Sequence, residues 1–323
     1  MPAVYVWVAS LAASAALLTW MARRYALRSN LVDQPGERRS HAVATPRGGG
    51  IAIVLVVLLA ALYLSTRHAS MGALWLGFLP GLLIVAGIGW WDDHKPLSPW
   101  LRLVIQGVAA LALAAGAGWQ SGQWWPALFA FGAAMVLVNV WNFMDGINGL
   151  AASQAALAAL GYAASLTGEW RWLALALMAG CVGFLPFNFP RARIFLGDVG
   201  SGALGYVLAA LLAAGLIQLP MDKSPLLLVP LWVFLVDAGF TLAGRMLRGE
   251  RWWTPHVSHL YQAAARRLGH TAVTVIYIAF GGVGLLLNLV WAPATFSVAA
   301  CAVAALYGVG GALWVLLRRG WRG

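Results

Sequence analysis

Long apolar runs separated by short polar connections fill this chain from end to end. The runs fall at about 2–22, 49–66, 72–91, 101–118, 124–141, 149–166, 171–188, 200–219, 225–244, 271–291 and 295–317, each of the length that crosses a hydrocarbon core roughly 30 Å thick. The pattern predicts an all-α fold, a polytopic transmembrane bundle of about eleven spanning helices. No polar stretch is long enough for a second soluble domain, so residues 1–323 read as a single integral-membrane domain. The apolar start, Met1 to Met21, has no basic leading segment and no small-residue cleavage site, and reads as the first span.

Composition agrees. Hydrophobic residues make up 62% of the chain and charged residues only 10%, against about a quarter charged in a soluble domain. Cys181 and Cys301 sit in separate apolar runs and read as small helix residues, not as a disulfide framework. A net charge of +11 could suggest nucleic acid, but its placement points to topology. All of the 21 Lys and Arg except Arg67, Arg171 and Lys223 fall after the first, third, seventh or ninth predicted helix, or in the C-terminal tail. Positive charge collects on the cytoplasmic side. The N-terminus is therefore expected in the periplasm, the C-terminus in the cytoplasm and the bilayer as partner, with no nucleic acid.

The polar connections on that charged side span about 23–48, 92–100, 142–149, 189–199 and 245–270, and they hold most of the candidate chemistry. The chain has ten Asp and Glu, and Asp92, Asp93, Asp145 and Asp198 all fall in these loops. The pair in Trp91-Asp92-Asp93-His94 can bind a hard divalent ion or take up a proton. In Asn142-Phe143-Met144-Asp145-Gly146-Ile147-Asn148-Gly149, Asp145 and Asn148 share a face if the segment is helical, and the glycines admit close approach of a ligand. Asp198 ends Phe195-Leu196-Gly197-Asp198 and precedes a glycine-rich helix start, as an N-cap or as a metal carboxylate, with Arg191 and Arg193 as phosphate partners. His256 and His259, near Arg251, suit anion binding better than zinc. Arg47 precedes Gly48, Gly49 and Gly50, whose amides could hold an anion at the start of the second helix. Asp237 lies inside the ninth span, a costly place for an ionisable group, and is expected to support the metal loop.

Taken together these motifs resemble the polyprenyl-phosphate N-acetylhexosamine-1-phosphate transferase family. The resemblance covers about residues 30 to 262 by motif and the remainder by helix number. It implies a Mg²⁺-dependent enzyme of the bacterial inner membrane, with Mn²⁺ an alternative ion and the active site facing the cytoplasm. Such an enzyme passes a sugar 1-phosphate from a UDP-N-acetylsugar to undecaprenyl or another polyprenyl phosphate and releases UMP. Asp92 and Asp93 match the family's Asp-Asp motif and Asp198 its metal carboxylate. Asn142 and Asp145 match Asn-x-x-Asp-Gly. Phe195 matches the aromatic that stacks on uracil, and Asn188 a nucleotide-contacting position. His256 and His259 match the histidine motif that contacts donor phosphates, and His41 with the glycine stretch matches the N-terminal loop. Asn148 stands where many members have Asp. The run Pro255-His256-Val257-Ser258-His259 lacks the three adjacent histidines of the lipid I enzyme, which favours the branch that starts O-antigen or exopolysaccharide lipids over peptidoglycan. A homodimer is expected on the resemblance alone. Other classes, a lipid transporter or a non-catalytic scaffold, leave four polar motifs on one side unexplained.

Overall fold

The computed structural model describes residues 2–34, 44–67, 69–251, 254, 256–292 and 294–320. It consists of α1 (Pro2–Arg28), α2 (Ile51–Arg67), α3 (Gly72–His94), α4 (Pro99–Ser121), α5 (Trp124–Phe143), α6 (Leu150–Ser165), α7 (Gly168–Asn188), α8 (Asp198–Gln218), α9 (Trp232–Leu247), α10 (Leu260–Leu268), α11 (His270–Trp291) and α12 (Phe296–Gly320). Among the described residues, nine helical stretches are long and apolar enough to cross a membrane, and α2 is a shorter apolar helix. This is the all-α polytopic bundle that the apolar runs predict.

α8 is its axis. Every residue from Val199 to Gly215 is buried, and small residues let neighbouring backbones approach it, the packing mode that serves where lipid removes the hydrophobic drive. A Cβ on Gly205 would lie 2.2 Å from the Leu137 carbonyl oxygen of α5. A Cβ on Gly89 of α3 would lie 2.4 Å from the carbonyl oxygen of Asp198. That second crossing brings the last turn of α3, with Asp92 and Asp93, against the first turn of α8.

The connections gather at two ends of the bundle. The α1–α2, α5–α6 and α7–α8 connections line one cavity with the end of α3. At the other end the Ser70 hydroxyl donates to Glu169 Oε1 at 2.6 Å, and Thr167 N–H donates to Gln218 Oε1 at 3.0 Å, joining the α2–α3 and α6–α7 connections and the end of α8.

Three features depart from the expected elements. The run expected as a helix at 225–244 begins as a 3₁₀ segment, Met221–Leu231, containing Pro225 and Pro230. Proline lacks the N–H an α-helix needs, so α9 starts only at Trp232. The polar loop at 245–270 holds an extra helix, α10, whose nine residues are too few to register as an apolar run. A two-residue antiparallel pair, β1 (Val32–Asp33) with β2 (Thr45–Pro46), stands in the first connection.

Candidate active site

Asp93 is 1% exposed, and both its oxygens are engaged at the start of α8. Asp198 N–H donates to Oδ1 at 3.0 Å and Val199 N–H to Oδ2 at 3.1 Å. A carboxylate there satisfies two orphan amides and complements the helix dipole. Asp198 is thus the first residue of α8 and not its cap. Gly197 holds the cap position at φ 77°, and a Cβ there would sit 2.6 Å from Asp93 Oδ2.

Asp92 turns the other way. Leu97 N–H donates to its Oδ1 at 2.6 Å, and Arg102 Nη1 contacts its Oδ2 at 2.7 Å. Arg102 also reaches Asp198, with Nη2 3.6 Å from Oδ1. Asn142 Nδ2 donates to Asp198 Oδ1 and, at 3.1 Å, to the Ser201 hydroxyl. Arg102 therefore bridges the carboxylates of α3 and α8, and Asn142 secures the second of them from α5.

These groups border a cavity of about 260 Å³ lined by Asp93, Asp145, Asp198, Asn142, Asn148, Asn188, Phe195 and Arg47, with Asp33, Gln262 and His270. Asp145 faces it with its carboxyl well above the usual range. Burial is the main cause, and the negative charges of Asp198 and Asp93 add to it. Asn188 spends its amide on the scaffold: Oδ1 accepts from Gly149 N–H at 2.7 Å and Nδ2 donates to the Ile194 carbonyl at 2.9 Å. Asn148 Nδ2 donates to the Pro190 carbonyl at 3.1 Å. Two of the three glycine amides expected to hold an anion are committed, Gly49 to the Phe195 carbonyl at 2.9 Å and Gly50 to the Leu196 carbonyl at 2.8 Å. They fix the loop that presents Phe195. Arg47 donates to the Asp93 carbonyl.

His256 and His259 line a neighbouring cavity of about 410 Å³, together with Arg102, Trp100, Leu103, Phe143 and Tyr261. The two cavities share Asn142, Asp145, Gly146 and Gln262 as a common edge. The rings of His256 and His259 lie 4.9 Å apart. Burial, then the nearby His259 and Arg245, push His256 down to about 4. Burial also lowers His259, against the opposing charge of Asp237. Both imidazoles are therefore neutral at neutral pH. Asp237 supports this histidine segment, with Oδ1 3.9 Å from His259 Nδ1, and not the metal loop for which it was expected.

Three expected phosphate partners do not line either cavity. Arg193 lies over the Phe187 ring at 5.1 Å and donates to the Pro186 carbonyl. Arg191 and Arg251 are exposed, and Arg251 contributes a carbonyl that accepts from Arg245 at 3.0 Å. His41 lies outside the described residues. Sequence reasoning missed Arg102, Gln262 and Tyr261 as cavity residues. Arg102 had a usable signal, since it stands one helix start beyond the Asp pair.

Among the described residues no three acidic, His or Cys side chains form a complete metal cage. The donors present still fit a Mg²⁺ site of the open kind. Asp198 and Asp145 are carboxylates at one cavity wall, and a divalent cation there would offset the negative charges of Asp198 and Asp93 that, after burial, raise the Asp145 carboxyl. Mg²⁺ commonly takes one or two protein carboxylates and completes its shell with water and substrate phosphate.

Residues 75–215 match the family model described as glycosyl transferase family 4. The chain is 30% identical over 324 residues to the decaprenyl-phosphate N-acetylglucosaminephosphotransferase of Mycobacterium tuberculosis, covering 84% of this chain and 79% of the relative. It is 32% identical to the probable undecaprenyl-phosphate N-acetylglucosaminyl 1-phosphate transferase of Bacillus subtilis, covering 81% and 78%. To the phospho-N-acetylmuramoyl-pentapeptide-transferase of Moorella thermoacetica it is 32% identical, covering 76% and 85%. With its helical bundle, its carboxylate cavity and these relatives, the chain belongs to glycosyl transferase family 4.

Proposed function

We propose that this protein transfers an N-acetylhexosamine 1-phosphate from a UDP-sugar to a polyprenyl phosphate and releases UMP, on the cytoplasmic side of the bacterial inner membrane. The observation that carries the reading is the pair of adjoining cavities. One is polar and carboxylate-rich; the other is flanked by Trp100, Leu103 and Phe143; they meet at Asn142, Asp145, Gly146 and Gln262. A nucleotide-sugar suits the first and a lipid phosphate the second, with the reacting phosphates at the shared edge. Phe195 lines the first cavity, as does Asn148, and would be the aromatic on which the uracil stacks.

In the reaction, an oxygen of the lipid phosphate attacks the sugar-bearing phosphorus of the donor. A new P–O–P bond forms, the bond to the uridine-bearing phosphate breaks, and UMP leaves with its electron pair. A phosphate monoester has a second pKa near 6, so most of it is already dianionic at neutral pH and needs orientation more than deprotonation. Arg102 and Gln262, with the two imidazoles as neutral donors, would align the phosphates, while Asp92 and Asn142 hold Arg102 and Asp198 in place. Asp198 and Asp145, with Asp93 at the wall, would hold Mg²⁺ or Mn²⁺, which when bound supplies charge neutralisation of the donor diphosphate. To the expected set, Asp198 with one of Asp92 and Asp93, this arrangement adds Asp145, which lines the same cavity.

N-Acetylglucosamine is the donor sugar that the named relatives suggest. The histidine pattern favours a lipid that starts an O-antigen or another surface polysaccharide. Purified protein given undecaprenyl phosphate, Mg²⁺ and UDP-N-acetylglucosamine should release UMP, and EDTA should stop it. Release only with the UDP-MurNAc-pentapeptide donor would move the protein to lipid I synthesis. Absence of release with every UDP-N-acetylsugar would count against the reading.

A further inference from the structure

α9 carries Asp237, Thr241 and Arg245 at successive four-residue steps, a spacing that stacks them on one helix face. All three are buried. A carboxylate inside a span is costly unless its oxygens are satisfied, and those of Asp237 receive five donors from four helices. Oδ1 accepts from Leu260 N–H at 2.8 Å, Trp314 Nε1 at 3.2 Å and the Thr241 hydroxyl at 3.2 Å. Oδ2 accepts from the Tyr277 hydroxyl at 2.7 Å and Tyr261 N–H at 3.0 Å.

Leu260 and Tyr261 are the first two residues of α10, so Asp237 caps that helix from a distance, as Asp93 caps α8. The residues beside those amides form the wall of the second cavity. His259 precedes them, 3% exposed, and its backbone N–H donates to Gln262 Oε1 at 3.1 Å. Tyr261 donates its hydroxyl to the Phe143 carbonyl at 3.0 Å. It also packs so close to Gly146 that a Cβ there would lie 2.1 Å from its oxygen. Arg245, two turns further along α9, holds the Arg251 carbonyl at 3.0 Å and Glu250 Oε2 at 3.2 Å, which secures the approach to the histidine segment.

We propose that Asp237 is a positioning residue for the transfer: by fixing the N-terminus of α10 it sets His259 and Tyr261 against the shared edge of the two cavities. The proposal rests on the reading of His259 as a group that meets substrate phosphate. A purely packing role would be served by any side chain of the right volume. The carboxylate is distinguished by aiming two acceptors at the α10 amides.

The geometric half is tested without substrate. Amide hydrogen exchange at Leu260 and Tyr261, measured on the full-length protein in detergent, should accelerate at least tenfold in Asp237→Asn, whose amide nitrogen faces a donor. It should change little in Tyr277→Phe, which leaves the α10 bonds intact. Unchanged exchange in Asp237→Asn overturns the proposal. The functional half is a double-mutant cycle on turnover with UDP-N-acetylglucosamine. Asp237→Asn should lower kcat at least tenfold with donor KM within threefold, and adding it to His259→Ala should cost no more than a further twofold. Losses that multiply in the double variant, or full turnover in Asp237→Asn, overturn the proposal. If Asp237→Asn does not fold, Asp237→Ser, which keeps one acceptor, is judged by the same cycle. Full turnover in His259→Ala would instead show that the substrate role of the histidine has failed, and the proposal falls with it.

Discussion

At the scale of single residues, the site separates what a side chain is from what it does. Asp92 and Asp93 are neighbours in sequence and opposite in use: one is paired with Arg102, the other accepts two α8 amides. The sequence made all four loop carboxylates visible because an apolar chain places few charges. It could not divide their roles, because the partners lie on other helices. Arg191 and Arg193 misled for the same reason, since proximity to Asp198 along the chain says nothing of the direction in which Arg193 folds back over Phe187. His256 yields a test by pH. Its folded value is about 4, below its ordinary value of 6.5. Between those values the unfolded chain binds more protons, so this contribution to stability is complete above about 6.5 and is lost as the pH falls toward 4. Unfolding midpoints in detergent should drop over that interval, and less steeply in His256→Gln. Equal slopes in the two proteins would refute the assignment.

Among elements, the spans were legible because about 20 apolar residues have few other uses. Their ends and exceptions were not. Pro225 and Pro230 turn the beginning of one expected helix into a 3₁₀ segment, and α10 is amphipathic, too short and too polar to show as an apolar run. Of the glycines at the start of α2, Gly49 and Gly50 give their amides to the α7–α8 connection, and Gly50 admits the first turn of α8. A Cβ on Gly50 would lie 2.2 Å from Gly200 Cα, with backbone on both sides. Gly50→Ala should therefore destabilise the fold by about 1–3 kcal/mol or more. It should also displace the loop bearing Phe195 and weaken donor binding. A variant with the parent's unfolding midpoint and donor KM would show that this crossing does not position the site.

For the whole molecule, alternating charge and polar motifs point to a site at one end, and five chain segments meet at the two adjoining cavities. The proposed orientation puts that end in the cytoplasm. Lys223→Cys, at the opposite end, should react with a membrane-impermeant thiol reagent in intact cells, whereas Lys95→Cys should react only after the membrane is opened; the reverse result would invert the topology. The central claim is that sugar and phosphate move together. The most direct measurement uses a UDP-N-acetylglucosamine donor labelled with ³H in the sugar and ³²P in the sugar-bearing phosphate, with undecaprenyl phosphate as acceptor. Both labels should enter the lipid in a 1:1 ratio as UMP is released. Transfer of ³H without ³²P, with UDP as the product, would contradict the account.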